Sequence, residues 1–370
     1  MRPGRKKTNY AVVGLGYIAQ AAILPAFANA SRNSKLAALV SGDPRKLRKL
    51  KKKYDVPFVY SYEDYDACLE SGEIDAVFIA LPNNMHCEYT VRAAEKGIHV
   101  LCEKPMAVTE DECLQMIEAA KSNRVKLMIA YRLHFEEANL KARAIVRSGQ
   151  LGAPRIFNSV FTMQVKEGDI RVQAELGGGT LYDIGIYCIN AARYLFGDEP
   201  TEVFATSVWN TEQRFEEVDE MTAAVLRYPG DKIGAFTVSF GAADVSEYRV
   251  VGTRGSLTLD PAYEHASGLS YVLDVNGRKK KKSFRKRDQF APELIYFSNC
   301  IARDREPEPS GIEGLADVQI IRALYRSARN GKPEAVHPVS DLPPHPGQDI
   351  RRPAAKKPEL VHASSPHPDD

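Results

Sequence analysis

The sequence contains no apolar run of the 18 or more residues that a membrane-spanning helix requires; its longest, such as residues 74–81, are far shorter. No membrane partner is expected. Net charge is nearly absent as well, because 50 Lys plus Arg stand against 48 Asp plus Glu for a formal +2. A field that weak collects neither nucleic acid nor an acidic surface, and a small, nearly neutral partner is the expectation. The six cysteines (Cys68, Cys87, Cys102, Cys113, Cys188, Cys300) form no C-x-x-C pair, in a chain large enough to need no disulfide staples. They read as reduced thiols of a cytoplasmic protein. Residues 1–8 form a basic leader, but no apolar stretch or small-residue cleavage site follows, so no export signal is predicted. No internal repeat is found, and no metal is expected.

What the sequence does contain is enough for two domains, since 370 residues at 44% hydrophobic content can bury a core in each. Over residues 9–130, short apolar runs (10–13, 35–41, 74–81, 98–102, 126–130) alternate with segments of 3.6-residue period, for example 111–122. Runs apolar on both faces are strands of a parallel sheet covered by helices, which predicts a doubly wound α/β domain. After a crossover near 131–152 the rhythm changes. Strand-like stretches at 155–165, 202–209, 222–228, 233–240, 248–252 and 256–259 follow one another through turns such as Pro229-Gly230-Asp231, predicting an α+β domain with a large, mainly antiparallel sheet over 131–337. Two helices close it, at 292–302 and 313–329, the latter stopped by Asn330-Gly331. Residues 338–370 are rich in Pro, His, Asp and Lys and are expected to be loose. The basic run 278–282 reads as the solvated edge of a hairpin rather than a nucleic-acid patch.

The chemistry-bearing motifs begin at Gly14-Leu15-Gly16-Tyr17-Ile18-Ala19, which follows the first strand and opens a helix. Gly14 permits the tight turn, Gly16 lets backbone approach a pyrophosphate, Ala19 allows close packing, and the helix N-terminus attracts phosphate. The second strand ends in Ser41-Gly42-Asp43-Pro44-Arg45-Lys46. Small Ser41 and Gly42 leave room for a 2′-phosphate, Arg45 and Lys46 can neutralise it, and Asp43 before proline caps the next helix; NADP is therefore favoured over NAD. Leu81, Pro82 and Asn83 end the next strand at the ligand edge of such a sheet, with His86 equally a packing residue or a ligand contact. Glu103-Lys104-Pro105 puts an ion pair at the tip of a buried strand, where a lysine is costly unless its charge is used. In the second domain, Gly177-Gly178-Gly179 precedes a helical stretch with Asp183 and Tyr187 four apart on one face, an acid beside a phenol. The glycines would let a substrate or nicotinamide approach the backbone.

Together these segments resemble the Gfo/Idh/MocA oxidoreductases over about residues 9–335. Ser41-Gly42-Asp43, Leu81-Pro82-Asn83, Cys102-Glu103-Lys104-Pro105-Met106, Tyr131-Arg132-Leu133-His134 and the stretch from Gly177 to Tyr187 look closest to the glucose-fructose oxidoreductase branch. The resemblance implies an NADP-dependent enzyme that moves hydride between the anomeric carbon of an aldose and the nicotinamide, with coupled reduction of a second sugar as an extension. It places Lys104 beside nicotinamide and sugar carbon, gives Tyr187 the hydroxyl proton, and has Asp183 orient the sugar. Arg171, Tyr131 and Arg132 become contacts of substrate or cofactor. Many members carry histidine at the position of Tyr187; a phenol, which ionises near about pH 10, is a weak base unless a cation lies close. Open sheets of the family pair face to face, which implies a homodimer or homotetramer. A dihydrodiol dehydrogenase or anhydro-sugar reductase of the same family, or a non-catalytic NADP-binding sensor, are the alternatives.

Overall fold

A computed structural model describes residues 7–339 and 350–368. Most of the basic leader (1–6) and part of the Pro-rich tail (340–349, 369–370) lie outside the described residues. The chain divides into two compact units: residues 7–132 with 287–314 and 350–365, and residues 133–286 with the remainder.

The first unit is built on six strands, β1 (Thr8–Val13), β2 (Ser34–Val40), β3 (Phe58–Tyr60), β4 (Ala76–Ile79), β5 (His99–Glu103) and β6 (Leu127–Ala130). They pair in parallel in the order β3-β2-β1-β4-β5-β6. The order reverses between β1 and β4, and ligands of such sheets bind outside the carboxyl ends of the strands at that point. All four residues of β4 are buried, as a central strand covered on both faces requires. Five of the six strands were legible as apolar runs; β3 was not, because three half-buried edge residues carry no pattern.

Two segments join this unit from far along the chain. Helix Ala291–Ala302, expected with the second domain, packs on the first: the hydroxyls of Tyr10 and Ser34 each lie 2.8 Å from Ser298 Oγ. Residues 350–365, expected to be loose, are instead held by polar bonds. Arg352 Nε donates to the Asn29 carbonyl at 3.1 Å, and Asn29 Nδ2 donates to the Pro353 carbonyl at 2.9 Å. Composition forecast few apolar contacts there, but it could not forecast that hydrogen bonds would take their place.

The second unit carries β7 (Pro154–Thr162), β8 (Glu202–Val208), β9 (Met221–Tyr228), β10 (Lys232–Ser239), β11 (Val245–Gly252), β12 (Gly255–Leu259), β13 (Ser270–Val275), β14 (Arg278–Ser283) and β15 (Glu334–Ala335). They form one nine-stranded sheet ordered β14-β13-β12-β11-β7-β10-β9-β8-β15, antiparallel except for the β7–β10 pair. Phe236, Val238 and Phe240 are buried in the unit's own core. The opposite face leaves Ile156, Phe204, Val225 and Ile233 exposed, a period-2 division between core and surface. Behind the sheet, Arg193 of helix Ile186–Phe196 reaches Asp317 of helix Gly311–Asn330 at 2.5 Å, both side chains almost fully buried, and Asn190 Nδ2 donates to the other Asp317 oxygen at 2.9 Å. Among the described residues no helix is long and apolar enough to cross a membrane.

Candidate active site

Because the first sheet is parallel, the segments after β1, β2, β4, β5 and β6 all emerge at one edge. That edge collects the predicted cofactor residues. Gly14 has φ +91°, and a Cβ there would lie 2.4 Å from the Ala80 carbonyl oxygen, so only glycine fits this close approach of two strand ends. At Gly16, in contrast, a Cβ would meet nothing within 4 Å. The protein itself does not require glycine there, and the open space beside a helix start fits a phosphate-bearing group drawn close to backbone. Leu15 is buried, whereas Gly16, Tyr17 and Ile18 are half-exposed. The helix opens with a π-turn, Ala19–Ile23, before regular winding begins at Leu24.

At the end of β2, Asp43 caps helix Pro44–Tyr54 as expected, with Oδ1 accepting from Arg45 N at 2.8 Å and Lys46 N at 3.2 Å. Ser41 Oγ accepts from Asp43 N at 3.2 Å. One carboxylate oxygen is thus committed to backbone, while Arg45 is exposed and Lys46 half-exposed. These residues and Gly16 fit a dinucleotide carrying a 2′-phosphate.

His86 is a correction. It is fully buried, with Nδ1 at 2.8 Å from the Pro105 carbonyl and Nε2 at 2.9 Å from the Leu81 carbonyl, and burial pushes its pKa down. Neither ring nitrogen is left for a ligand. The imidazole instead brackets two loops of the ligand edge, the Leu81-Pro82-Asn83 turn and the loop after β5. That second loop opens on Lys104, half-buried like Glu103 at the end of β5, ahead of Pro105. Tyr131 and Arg132 follow β6 and are buried; the Arg132 guanidinium donates to Gln289 Oε1, a bond within the chain.

In the second unit, two of the three glycines, Gly178 and Gly179, are required by the chain's own packing. A Cβ at Gly178 would lie 2.5 Å from the Arg171 carbonyl oxygen, and one at Gly179 would lie 2.4 Å from Tyr325 Oη. The chain's own atoms fill the space that a substrate was expected to use. The following helix again opens as a π-turn, Leu181–Gly185, and continues as Ile186–Phe196. π-turns are often found at functional sites. Over residues 181–190 every position is buried except Asp183 and Tyr187. Arg171, predicted to touch substrate, spends its charge inside the protein: Nε donates to Asp183 Oδ2 at 2.7 Å and Nη1 to Asp169 Oδ1 at 3.1 Å. Burial alone would favour the neutral guanidine, but the two carboxylates outweigh it and raise the pKa of Arg171. Its role is to fix Asp183 as an oriented carboxylate. The ring of Tyr187 meets Phe161 edge-on at 5.6 Å and Tyr263 at 5.9 Å, an aromatic setting that limits where the phenol can go.

Residues 8–131 match the sequence pattern described as the oxidoreductase family with an NAD-binding Rossmann fold, and residues 139–258 match the GFO/IDH/MocA C-terminal domain. The chain is 32% identical to a D-xylose 1-dehydrogenase [NADP(+)] of Haloarcula marismortui over 86% of its length and 90% of the relative's. The chain belongs to the Gfo/Idh/MocA oxidoreductase family. A second D-xylose 1-dehydrogenase (NADP(+)), from Haloferax volcanii, is 30% identical over 87% of this chain and 98% of that one. Among solved structures, the aldose-aldose oxidoreductase of Caulobacter crescentus superposes with a TM-score of 0.86 at 38% identity, covering 90% of this chain and all of that one.

Two polar residues of this Gfo/Idh/MocA chain escaped the sequence reading. Asp219, almost fully buried, accepts from the Thr180 hydroxyl, from Thr222 Oγ1 at 2.6 Å and from Tyr325 Oη at 3.0 Å. It pins the start of the helix that carries Asp183 and Tyr187. Tyr62 lies against Gly42, where a Cβ would be 3.1 Å from its ring, and burial pushes its phenol pKa up. An acid at the head of a strand was the only signal for the first, and the unseen β3 hid the second.

Proposed function

We propose that the protein is an NADP-dependent aldose oxidoreductase that moves hydride between the anomeric carbon of a pyranose and the nicotinamide, giving a lactone, and that reduction of a second sugar is the reverse half of the same exchange. The observation that carries this reading is the helix start on which Asp183 and Tyr187 alone stay open, with Asp183 held by Arg171. The printed activities of the xylose dehydrogenases and of the aldose-aldose enzyme support the substrate class.

In this reading NADP, when bound, supplies the hydride acceptor. Backbone at Gly14, Leu15, Gly16, Tyr17 and Ile18 holds the pyrophosphate; Ser41, Gly42, Arg45 and Lys46 hold the 2′-phosphate. Leu81, Pro82, Asn83, Glu103, Tyr131 and Arg132 shape the ribose and nicotinamide end. Tyr187, in its phenolate form with Lys104 as the stabilising cation, takes the O1 proton as C1 gives up its hydride, and Asp183 accepts from a neighbouring hydroxyl. The test is the absorbance of reduced nicotinamide after adding NADP and a panel of aldoses, xylose and glucose included, to purified protein. Silence across the panel overturns the proposal.

Cofactor choice has its own check. Lys46→Ala is expected to weaken NADP binding by about 1 to 3 kcal/mol, the range of a charge-assisted contact, and to leave NAD nearly unaffected. Titration of both cofactors reads it; equal losses reject the phosphate site.

A second copy of the chain is the proposed occupant of the exposed sheet face with Ile156, Phe204, Val225 and Ile233, in a homodimer or homotetramer in the cytoplasm. The described cysteines are all buried free thiols, which supports a reducing compartment. Sedimentation at micromolar concentration is expected to give twice or four times the mass of the chain; a strict monomer rejects the assembly.

A further inference from the structure

We propose that residues 359–362 are part of the dinucleotide site: they close its adenosine end, and His362 masks Asp43 so that the site accepts a 2′-phosphate. This rests on the NADP reading above and names a segment to which that reading gives no role.

What docks the segment is a set of hydrogen bonds to the elements around the glycine turn. Gln20, almost fully buried in the π-turn that follows Gly16, uses both ends of its amide on Val361: Nε2 donates to the Val361 carbonyl at 2.9 Å, and Oε1 accepts from Val361 N at 2.7 Å. The same Nε2 donates to the Leu15 carbonyl at 2.9 Å, which ties the latch to the phosphate loop itself. Lys53, near the end of helix Pro44–Tyr54, donates to the Glu359 carbonyl at 2.6 Å. Arg352, hydrogen-bonded to Asn29, anchors the approach. A two-way bond between a buried side-chain amide and a backbone peptide is directional, so it fixes the register of the segment as well as its presence.

That register sets His362 beside Asp43, with Nδ1 at 3.2 Å from Oδ2. Asp43 is the one acid at the tip of β2, where its charge would repel a 2′-phosphate. Two backbone amides hold Oδ1, and the imidazole takes Oδ2, so neither oxygen faces the site without a donor. Arg45 and Lys46 then act on the phosphate beside a carboxylate whose two oxygens are both already engaged.

The experiment compares full-length protein with His362→Ala and Gln20→Ala, following NADPH and NADH binding by the fluorescence of the reduced nicotinamide and NADPH release by stopped flow. The expected result is about a 5- to 20-fold rise in the NADPH dissociation constant for His362→Ala, with less than about twofold for NADH, the size of one charge-assisted contact. Gln20→Ala is expected to speed release of both cofactors by about tenfold or more. His362 is exposed, so its variant folds whatever becomes of Gln20→Ala. An unchanged NADPH-to-NADH ratio in His362→Ala overturns the proposal. A lack of NADPH preference in the unaltered chain is a different failure, that of the cofactor reading, and is seen before any variant is made.

Discussion

Lys104→Ala is expected to lower the rate of hydride transfer by about 10²- to 10⁴-fold while NADP still binds, the range for loss of one group that acts on a moving proton or a developing charge. The side chain follows the last residue of β5 at the carboxyl edge, in a loop whose Pro105 carbonyl lies 2.8 Å from Nδ1 of buried His86. A lysine fixed there costs desolvation without the reaction and lowers the barrier with it, because an ammonium in a preorganised site is worth more to the transition state than to the resting sugar. Single-turnover kinetics with saturating NADP separate the two effects. If the step slows only because NADP is lost, Lys104 is a cofactor anchor and nothing more.

Tyr187→Phe is expected to produce a loss of similar size, about 10²- to 10⁴-fold. The substitution keeps the ring that packs on Phe161 and Tyr263, so stability is expected to change little and the hydroxyl alone is tested. Near-normal turnover of the best aldose would move the proton to Asp183. That carboxylate is a weaker candidate, since its Oδ2 is already engaged by Arg171 Nε.

Both predictions use residues that the sequence could single out, and the reason is the parallel sheet. Runs buried on both faces announce β1, β2, β4, β5 and β6, and a motif directly after such a run must emerge at the ligand edge; Gly14, Asn83 and Lys104 were placed by that logic alone. Side-chain direction is not carried by position. His86 occupies the same edge but points its nitrogens at two carbonyls, and Gly178 and Gly179 are glycines because Arg171 and Tyr325 come too close. Long-range pairing was equally hidden. Ser298 meets Tyr10 and Ser34 from 288 and 264 residues away, so no local pattern could have moved helix Ala291–Ala302 to the first unit.

The outermost strand of the large sheet bears on how the protein behaves in a tube. β14 is exposed at every position and strings together Arg278, Lys279, Lys280, Lys281 and Lys282, after a turn in which Asn276 and Gly277 both take positive φ. An unpaired strand edge is a template for another copy's edge, and adding one here would bring five cations against five. The repulsion hinders fibre-like growth without a covering helix. It also fades where salt shortens the Debye length, from about 10 Å at 0.1 M to about 3 Å at 1 M. Concentrated salt is therefore the condition in which this chain loses its guard against precipitation.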